Sequence, residues 1–447
     1  SYYYKQQINC IKRTIMGNIY DKASLILTGG SAYKAGELWA EKPLTDAGKF
    51  TYGRNSVANR LTDCGEVKEQ AANVPLVEWL DSSPYMLYEI ASTNRYTNSY
   101  SFSGWDFSQG STVRTPNAGI SPEGLINAAK IDQATNNNSC FFMQNTTVTA
   151  GYWYTHSIYV KSNGARYIQM TGSTGFNGSR INFDIIDGTV TYSDNYDAFL
   201  AYGIEAIGND GWYRVFVTMV GGQSISGRII TALIDDANGG RLESCTVPTG
   251  GILAWGGQLE QWTSYEGLEP TSYIKTEGST ASRPRSDLYI TSLQANNVFG
   301  ESSGALYLNM RPRSSSRNTS ARSVWMEDAT DNGEAFQFYS TDSTAGGEFG
   351  TGTITWMWYN THNGSTNGAE QISLNVDKDN KIVFSWTASQ WKLYLNGTAV
   401  TTENHTSNPI KMNNFNFEPV QNCNAIKEIM FFDQQLTPEE AITLTTL

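Results

Sequence analysis

Charge is scarce in this sequence, since only 17% of its 447 residues are Asp, Glu, Lys or Arg, against about a quarter in ordinary globular domains. The 31 basic residues are outnumbered by 43 acidic ones, and the formal net charge is −12. A chain without a basic excess lacks the electrostatic footprint that binds a phosphate backbone, so we expect no nucleic-acid partner. No run approaches the roughly 18 consecutive apolar residues that span a bilayer, so we expect no membrane insertion.

Histidine and cysteine are also rare. The three histidines lie far apart in the chain: His156, His362 and His405. This spacing disfavours a metal site and a Ser/His/Asp triad, and no cofactor is expected. The five cysteines are scattered singly, without a CxxC pair: Cys10, Cys64, Cys140, Cys245 and Cys423. Such a set predicts reduced thiols and folding in a reducing cytoplasm, and the first 15 residues do not have the pattern of a secretory signal.

Aromatic residues and glycine are plentiful by contrast, at 12% and 41 residues. Residues 152–161 (YWYTHSIYVK) form an aromatic and β-branched run that closes on Asn163-Gly164, a strong turn signal. Residues 212–220 (WYRVFVTMV) form a second such run, which ends at a Gly-Gly pair. Many short runs of this kind, with no long helical pattern between them, predict an all-β fold of antiparallel sandwiches of the jelly-roll type.

The strand pattern divides the chain into four parts. Residues 1–100 hold too few apolar residues to build a core alone, so we predict an extended N-terminal arm for docking and oligomerisation. Residues 101–277 predict one sandwich and residues 288–447 a second, which ends in a short capped helix. The Ser/Pro/Arg-rich stretch between them, residues 278–287 (GSTASRPRSD), predicts a linker.

Three groups of motifs carry a resemblance to a known family. The first spans residues 52–79 (YGRNSVANRLTDCGEVKEQAANVPLVEW) and 83–105 (SPYMLYEIASTNRYTNSYSFSGW). The second includes residues 150–161 (AGYWYTHSIYVK) and 254–262 (AWGGQLEQW), and the third residues 381–400 (KIVFSWTASQWKLYLNGTAV). Their order resembles fibre and spike proteins of the head or tail of tailed bacteriophages, with a carbohydrate-binding-module-like jelly roll and a concanavalin-A/laminin-G-like C-terminal domain.

The resemblance implies a structural virion appendage that mediates adhesion to host or environmental glycans. It further implies a homotrimer that attaches to phage capsid or tail proteins through the N-terminal arm and is assembled in the cytoplasm of the bacterial host. Two positions depart from the family pattern. Cys64 stands where the arm's turn usually has Asn, and residues 88–93 (YEIAST) replace an LLEPQRT-like run.

Candidate glycan contacts are tyrosines in polar, turn-rich segments, because sugars bind flat apolar faces rimmed by hydrogen-bonding groups. We select four: Tyr192, Tyr196, Tyr202 and Tyr359. A packed loop or an intersubunit contact explains the segment of residues 192–202 equally well. Trp212 and Trp255 lie within strand runs, where aromatic residues usually pack in a core.

Catalytic residues are not expected. A glycosidase needs two carboxylates about 5 to 9.5 Å apart, and the Glu-x-Asp-x-x-Glu string of concanavalin-like glucanases is absent from the sequence. Asp377-Lys378-Asp379-Asn380 resembles half of a calcium loop without its Gly and terminal Glu, which favours a hairpin turn over a metal site. The expectation is therefore a protein that is not an enzyme. A glycan-degrading depolymerase and a bacterial surface lectin are the alternatives.

Overall fold

The computed structural model describes residues 19–446 except 110, 135–137, 195–198, 247–249, 264–267, 294, 301, 314–320, 328–334, 344–346, 349–352, 363–364, 405–412 and 418–422. For residues 321–323, 327 and the strand residues between 335 and 369, only the backbone is described. Residues 19–22 are helical, Asp46–Gly48 form a 3₁₀ turn, and a helix at Pro438–Thr445 ends the described chain. No helix in these residues is long and apolar enough to cross a membrane.

Strands make up the rest of the regular structure, as the sequence predicts. The first nine are β1 (Leu25–Thr28), β2 (Tyr33–Lys34), β3 (Glu37–Trp39), β4 (Lys49–Gly53), β5 (Ala58–Leu61), β6 (Val67–Gln70), β7 (Leu76–Leu80), β8 (Ser83–Tyr88) and β9 (Ser92–Asn94). The next fourteen are β10 (Thr112–Ile120), β11 (Ile126–Gln133), β12 (Asn138–Phe142), β13 (Thr146–Val148), β14 (Trp153–Ser162), β15 (Tyr167–Ser173), β16 (Arg180–Asp184), β17 (Thr189–Ser193), β18 (Ala201–Ile207), β19 (Trp212–Val220), β20 (Ile225–Ile234), β21 (Ser244–Cys245), β22 (Ile252–Trp262) and β23 (Ala281–Arg283). The last twelve are β24 (Asp287–Ile290), β25 (Gly304–Pro312), β26 (Ala321–Glu327), β27 (Ala335–Ser343), β28 (Gly347–Glu348), β29 (Thr353–His362), β30 (Ser365–Asn375), β31 (Asn380–Thr387), β32 (Gln390–Leu395), β33 (Thr398–Asn404), β34 (Asn414–Phe417) and β35 (Asn424–Phe432).

One sandwich, which we call the inner jelly roll, is built from the middle of the chain, apart from the two-residue β28 of the C-terminal part, which pairs in parallel with β18. Its first sheet has the order β10-β11-β22-β14-β19-β18-β28, and its second sheet has the order β17-β16-β15-β20-β12-β21 with β13 on β20. The core between the two sheets includes Ile158, Met170, Phe183 and Val217, none of which has any exposed surface. The predicted class, an all-β protein with antiparallel jelly-roll sandwiches, is confirmed.

The second sandwich, which we call the outer sandwich, is built from both ends of the chain. Its first sheet has the order β33-β32-β31-β25-β35-β8-β7, with β1 on β35, and its second has the order β2-β3-β4-β24-β34-β26-β27-β29-β30. A single apolar core joins the two ends, since Leu27 and Phe50 pack in one cluster with Phe384 and Phe431. The inner jelly roll is therefore inserted between two halves of the outer sandwich.

The N-terminal segment differs from the predicted extended arm. Residues 25–88 supply strands to both sheets of the outer sandwich, where β1 pairs with β35 along four residues and β4 pairs with β24. The argument from low apolar content is correct in that the segment cannot form a core alone. The segment packs instead on the C-terminal half of the same chain.

Arg54, in the YGRNS stretch (residues 52–56) that opens the first motif group, fixes the loops of this segment. Its side chain is 1% exposed and donates to the carbonyl oxygens of Val74 at 2.9 Å and Ala71 at 2.6 Å. Its backbone N–H donates to Asn73 Oδ1 at 2.9 Å, and Asn73 has a positive φ of 58°, which Asn tolerates better than most residues. The motif therefore acts as a buried clamp in which a guanidinium satisfies carbonyls that strand pairing leaves free.

The predicted linker, residues 278–287, is instead an ordered part of the junction. β23 pairs antiparallel with β9, so the strands that enter and leave the inner jelly roll lie side by side. Arg283 and Glu89 form an ion pair at this point, with side chains 1% and 2% exposed. Arg283 also donates to the carbonyl oxygen of Ile90 at 3.1 Å, and Ser286 N–H donates to that of Glu89 at 3.0 Å. We call this group the junction pair.

Removing one partner of the junction pair leaves a buried charge without its counter-ion, which is expected to cost about 3–5 kcal/mol. We predict a loss of that size for Arg283→Met and for Glu89→Gln in the free energy of unfolding, measured by urea titration. The matched control is Arg285→Met, because Arg285 and Asp287 form an ion pair with side chains 45% and 40% exposed. That variant should lose less than about 1 kcal/mol, and equal losses at positions 283 and 285 would contradict the assignment.

Candidate functional site

The four selected tyrosines do not form one cluster. Tyr192 is half-buried on β17, in the second sheet of the inner jelly roll. Tyr202 lies on β18 in the first sheet and is 3% exposed within the core, so its selection as a ligand contact is wrong. Its strand turns the ring inward, toward Phe199 at 6.3 Å between ring centroids. Tyr196 lies outside the described residues. Tyr359 lies on β29 of the outer sandwich, where only the backbone is described.

Tyr192 belongs to a polar row on the β16–β17 hairpin. Register pairs Asn182 with Tyr192 and Ile181 with Ser193, which places Arg180 opposite Asp194. Residues directly opposite in an antiparallel pair point to the same face of the sheet. Ile181 and Phe183 point into the core, so the alternate residues Arg180, Asn182, Tyr192 and Asp194 lie on the opposite face of the sheet, where Asn182 is fully buried. We call these four residues the hairpin face.

The hairpin face combines a flat ring with a charge pair. The Arg180 guanidinium lies over one side of the Tyr192 ring, 4.4 Å from its centroid, which is a cation–π contact. Arg180 Nη1 also forms an ion pair with Asp194 Oδ1 at 2.9 Å, with side chains 16% and 27% exposed. Arg180 Nε is buried and has no hydrogen-bond partner among the described atoms. The arrangement fixes donors, acceptors and an aromatic edge within one exposed patch.

A loop covers the polar surface beside the hairpin face. Gln169 Nε2 donates to Gly240 O at 3.0 Å, and Asn182 Nδ2 donates to Gly239 O at 3.0 Å. Arg241 reaches back from this loop and donates to Gly172 O at 2.8 Å. Both amides are fully buried, so their hydrogen bonds hold the loop in place. The loop of residues 235–246 therefore forms one wall of the patch and leaves Tyr192, Arg180 and Asp194 at its rim.

Asp194 lies in the polar segment of residues 192–202 that the sequence singles out, whereas sequence reasoning missed its partner Arg180, although the necessary signal was present. The Asp187-Gly188 turn predicts a hairpin, and counting outward from that turn places residues near 180 beside residues near 194. A one-residue bulge between Asn182 and Phe183 shifts the exact register, and this bulge has no clear sign in the sequence.

Trp212 and Trp255 are 4% and 1% exposed, so the prediction of core positions is confirmed. They pack with Tyr273 on the side of the first sheet that faces the N-terminal segment, in a cluster that includes Val67 of β6. The β5–β6 hairpin thus covers an aromatic surface that would otherwise be exposed. This is a second contact, besides the junction pair, between the inner jelly roll and the N-terminal segment.

A charged cavity of about 60 Å³ lies where this hairpin, the outer sandwich and the inner jelly roll meet. Carboxylates and guanidiniums from all three parts line it: Glu78, Glu89, Glu205, Arg60, Arg214 and Arg313. Arg313 connects the two sandwiches, because it donates to Glu205 Oε1 of β18 at 2.6 Å and to Asp377 beside β31. At about 10–15 Å³ per water, the space suits a few water molecules and is smaller than a sugar ring.

Glu78 is the group in this cavity with the most informative titration. Burial raises its pKa to about 7, Arg313 opposes that increase, and the negative charge of Glu205 adds to it. A raised carboxyl pKa in a cleft marks a possible acid catalyst, but ion-pair networks inside structural interfaces produce the same effect. The small cavity volume and the position between two sandwiches favour the structural interpretation.

The half-calcium-loop sequence forms protein contacts. Asp377 pairs with Arg313, and Asp379 accepts hydrogen bonds from Tyr85 Oη at 2.8 Å and Arg311 Nε at 3.0 Å. Within the described ranges, no group of three or more His, Cys, Asp or Glu side chains is placed to hold a metal ion. Asp379 connects the turn before β31 to Tyr85 of the N-terminal segment.

No protein-family model and no curated protein matches the chain. Similar solved structures include botulinum neurotoxin type C, whose cell entry depends on two ganglioside molecules (13% identity, TM-score 0.27), with 36% of this chain aligned to 39% of the toxin chain. A second is domain 4 of AbnA, an arabinanase from Geobacillus stearothermophilus, with arabinotriose (11% identity, TM-score 0.26), with 41% of this chain aligned to 86% of that domain. A third is the CBM40 domain of the Ruminococcus gnavus IT-sialidase with α2,3-sialyllactose (12% identity, TM-score 0.25), with 33% of this chain aligned to 84% of that domain. The chain thus spans well under two thirds of the toxin chain's length.

The raised pKa of Glu78 predicts a pH-dependent stability with a definite sign. Between roughly pH 4.5 and 7 the folded chain keeps a proton on Glu78 that the unfolded chain has lost, so stability falls as the pH rises through that window. We expect Glu78→Gln to remove this loss and to be about 1 kcal/mol more stable than the wild type near neutral pH, allowing for the partial exposure of Glu78. Urea unfolding at several pH values measures the difference.

The matched control for this experiment is Glu69→Gln, because Glu69 is an exposed carboxylate on neighbouring β6. The free energy of unfolding of the Glu69→Gln variant should change with pH in the same way as that of the wild type. If the free energies of unfolding of Glu78→Gln and of the wild type change equally with pH through the same window, Glu78 does not hold a proton in the folded state.

Proposed function

We propose that the protein is a glycan-binding adhesion subunit and that the hairpin face of the inner jelly roll is its contact with sugar. The observation that carries the proposal is the fixed combination of the Tyr192 ring, the Arg180 guanidinium and the Asp194 carboxylate in one partly exposed patch. The face of the Tyr192 ring opposite Arg180 would provide the apolar contact for the C–H groups of a sugar ring. The charge pair beside it provides donors and acceptors for neighbouring hydroxyls.

The preorganised geometry supports this use. Arg180 is already held by Tyr192 and Asp194, so a ligand would not have to order a long side chain at a cost of about 0.5–1.5 kcal/mol. A patch of three or four side chains gives weak binding, and many copies on one particle would raise the effective affinity through multivalency.

The proposed role is binding without catalysis. The charged cavity is the best candidate for an active site because Glu78 has a raised pKa there. However, a space of about 60 Å³ between two sandwiches does not admit a glycan chain. A glycan-degrading depolymerase is the second candidate function, and only Glu78 supports it. If the protein has this function, it should release oligosaccharides from a glycan, and the Glu78→Gln variant should not.

The larger proposal is that this adhesion subunit belongs to a head or tail appendage of a tailed phage. In this proposal the subunit is assembled in the bacterial cytoplasm. It works as a homotrimer that attaches to capsid or tail proteins. The order of the sequence motifs supports it. An exposed apolar group at the tip of the β10–β11 hairpin supports self-association: Ile120, Leu125 and Ile126, 62%, 54% and 70% exposed. Exposed apolar clusters of this kind commonly mark protein contacts.

Tyr192→Ala should weaken glycan binding by the full chain about tenfold, equivalent to about 1.4 kcal/mol, because it removes both the ring and the support of Arg180. Glycan-array screening followed by calorimetry on the best ligand measures the effect. Tyr289→Ala is the matched control, since Tyr289 is 43% exposed on a strand of the outer sandwich. Equal affinity of the Tyr192→Ala variant and the wild type, or release of oligosaccharides from the bound glycan, would overturn the proposal.

Sedimentation equilibrium tests the oligomer separately. The expected mass is three times that of the 49.4 kDa chain, and Ile126→Lys should shift the distribution toward the monomer because it places a charge in the apolar group. A wild-type protein that remains monomeric at micromolar concentration would rule out the trimer without affecting the glycan site.

A further inference from the structure

Two of the cysteines that the sequence spaces far apart come together in the inner jelly roll. β21 consists of only two residues and pairs with β12, with Cys245 opposite Asn138 and Ser244 opposite Ser139. Opposite residues share a face of the sheet, and so do residues two apart on one strand. Cys140, two residues after Asn138, therefore lies on the same face as Cys245, diagonally across the strand pair.

Burial and thiol contact agree with this register. Cys140 and Cys245 are each 1% exposed and belong to the same apolar core cluster. The Cys140 thiol donates to the carbonyl oxygen of Asn138 at 3.3 Å, and the neighbouring Cys245 thiol, together with burial, raises the pKa of the Cys140 thiol. All four described cysteines are free thiols in the structure. Cys64 is exposed and Cys423 is in a different cluster.

We propose that Cys140 and Cys245 are a redox pair that closes to a disulfide once the protein leaves a reducing compartment. The oxidant is a low-molecular-weight disulfide such as oxidised glutathione. One protein thiolate attacks it, releases one glutathione thiol and forms a mixed disulfide. The second protein thiolate then displaces the other glutathione. In total the protein gives up two protons and two electrons, one S–S bond forms as another breaks, and two glutathione thiols are produced.

Opening of β21 provides the route for this reaction, since both thiols are buried in the closed state. The strand is held by two residue pairs and by a few side-chain contacts, including Gln133 Nε2 to Cys245 O at 2.6 Å. A diagonal pair lies slightly farther apart than an ideal disulfide requires, and a short strand can move the small distance needed. A thiolate can then form in the open state, where burial no longer raises its pKa.

The bond would fix the loop that borders the hairpin face. The loop of residues 235–246 contains β21 near its end, and Thr246 N–H donates to Asp235 Oδ2 at 2.7 Å, which closes the base of the loop. A disulfide bond between Cys245 and Cys140 of β12 would attach this loop covalently to the sheet. It would also close a covalent loop of about 100 residues, a length that gives substantial stabilisation of the folded state. The reduced protein would thus fold in the cytoplasm, and the oxidised one would be the more durable form outside it.

Incubation of the wild-type full chain with oxidised glutathione, followed by alkylation and peptide mapping, tests the proposal. The expected product is one linked peptide pair that contains Cys140 and Cys245, with the other cysteines alkylated or carrying glutathione. The oxidised protein should melt several degrees higher. Tryptic cleavage after Arg241 should be several-fold slower, because cleavage requires the loop to open.

The control variants separate the pair from the other thiols. Cys64→Ser should still give the linked peptide and the higher melting temperature, whereas Cys245→Ser should give neither. The peptide map of the wild type does not depend on whether the Cys245→Ser variant folds. If both thiols stay alkylatable after oxidation in sub-denaturing urea, which opens short strands, or if Cys140 links to a different cysteine, the proposal is wrong.

Discussion

The buried ion pair between Glu89 and Arg283 is the contact on which the arrangement of the two sandwiches depends. It lies where the chain leaves the outer sandwich for the inner jelly roll and where it returns. Further hydrogen bonds to the two charged groups offset part of the cost of holding them out of water. Ser272 N–H donates to Glu89 Oε1 at 2.5 Å, and Ser272 Oγ donates to Oε2 at 2.7 Å. The junction therefore fixes the entry and exit strands in one geometry, and the inner jelly roll is held in a definite position rather than on a flexible tether.

The outer sandwich has the corresponding constraint that it cannot form without both ends of the chain. β8 pairs with β35 and β4 with β24, so each sheet contains strands that are hundreds of residues apart in sequence. The inner jelly roll is inserted between these halves, and the close approach of β9 and β23 makes such an insertion possible. Arg313, Glu205 and Asp377 add a second connection between the sandwiches through the charged cavity.

Local sequence signals predicted the class of fold well because turns and strands are local. The Asn163-Gly164 turn and the run at residues 152–161 each depend on neighbours in sequence, and the structure places strands beside them. The short capped helix predicted at the C-terminus forms, with both capping hydrogen bonds between Thr437 and Glu440 present. Strand partners over long distances were not predictable, because the pattern of an individual strand does not specify which sheet it joins. The N-terminal segment was for this reason expected to be an arm, although its low apolar content correctly indicated that it needs a partner.

The candidate site was predictable only in part. Tyr192 was selected for its polar, turn-rich setting and lies on an outward face, whereas Tyr202, chosen on the same grounds, lies in the core because β18 turns its ring inward. Composition does not distinguish two such tyrosines, since the register of a strand decides which face each residue occupies. Arg180 and Asp194, which give the patch its charge, come from the two sides of a hairpin with an irregular register. The same dependence on register hid the contact between Cys140 and Cys245.

Hydrogen–deuterium exchange of the full chain with and without a bound glycan tests the central claim most directly, because it locates the contact without any substitution. The account predicts that the glycan slows exchange in residues 180–194 and in the bordering loop of residues 235–246, and leaves β31 to β33 of the outer sandwich unchanged. Slower exchange confined to the outer sandwich, with the β16–β17 hairpin unaffected, would contradict it.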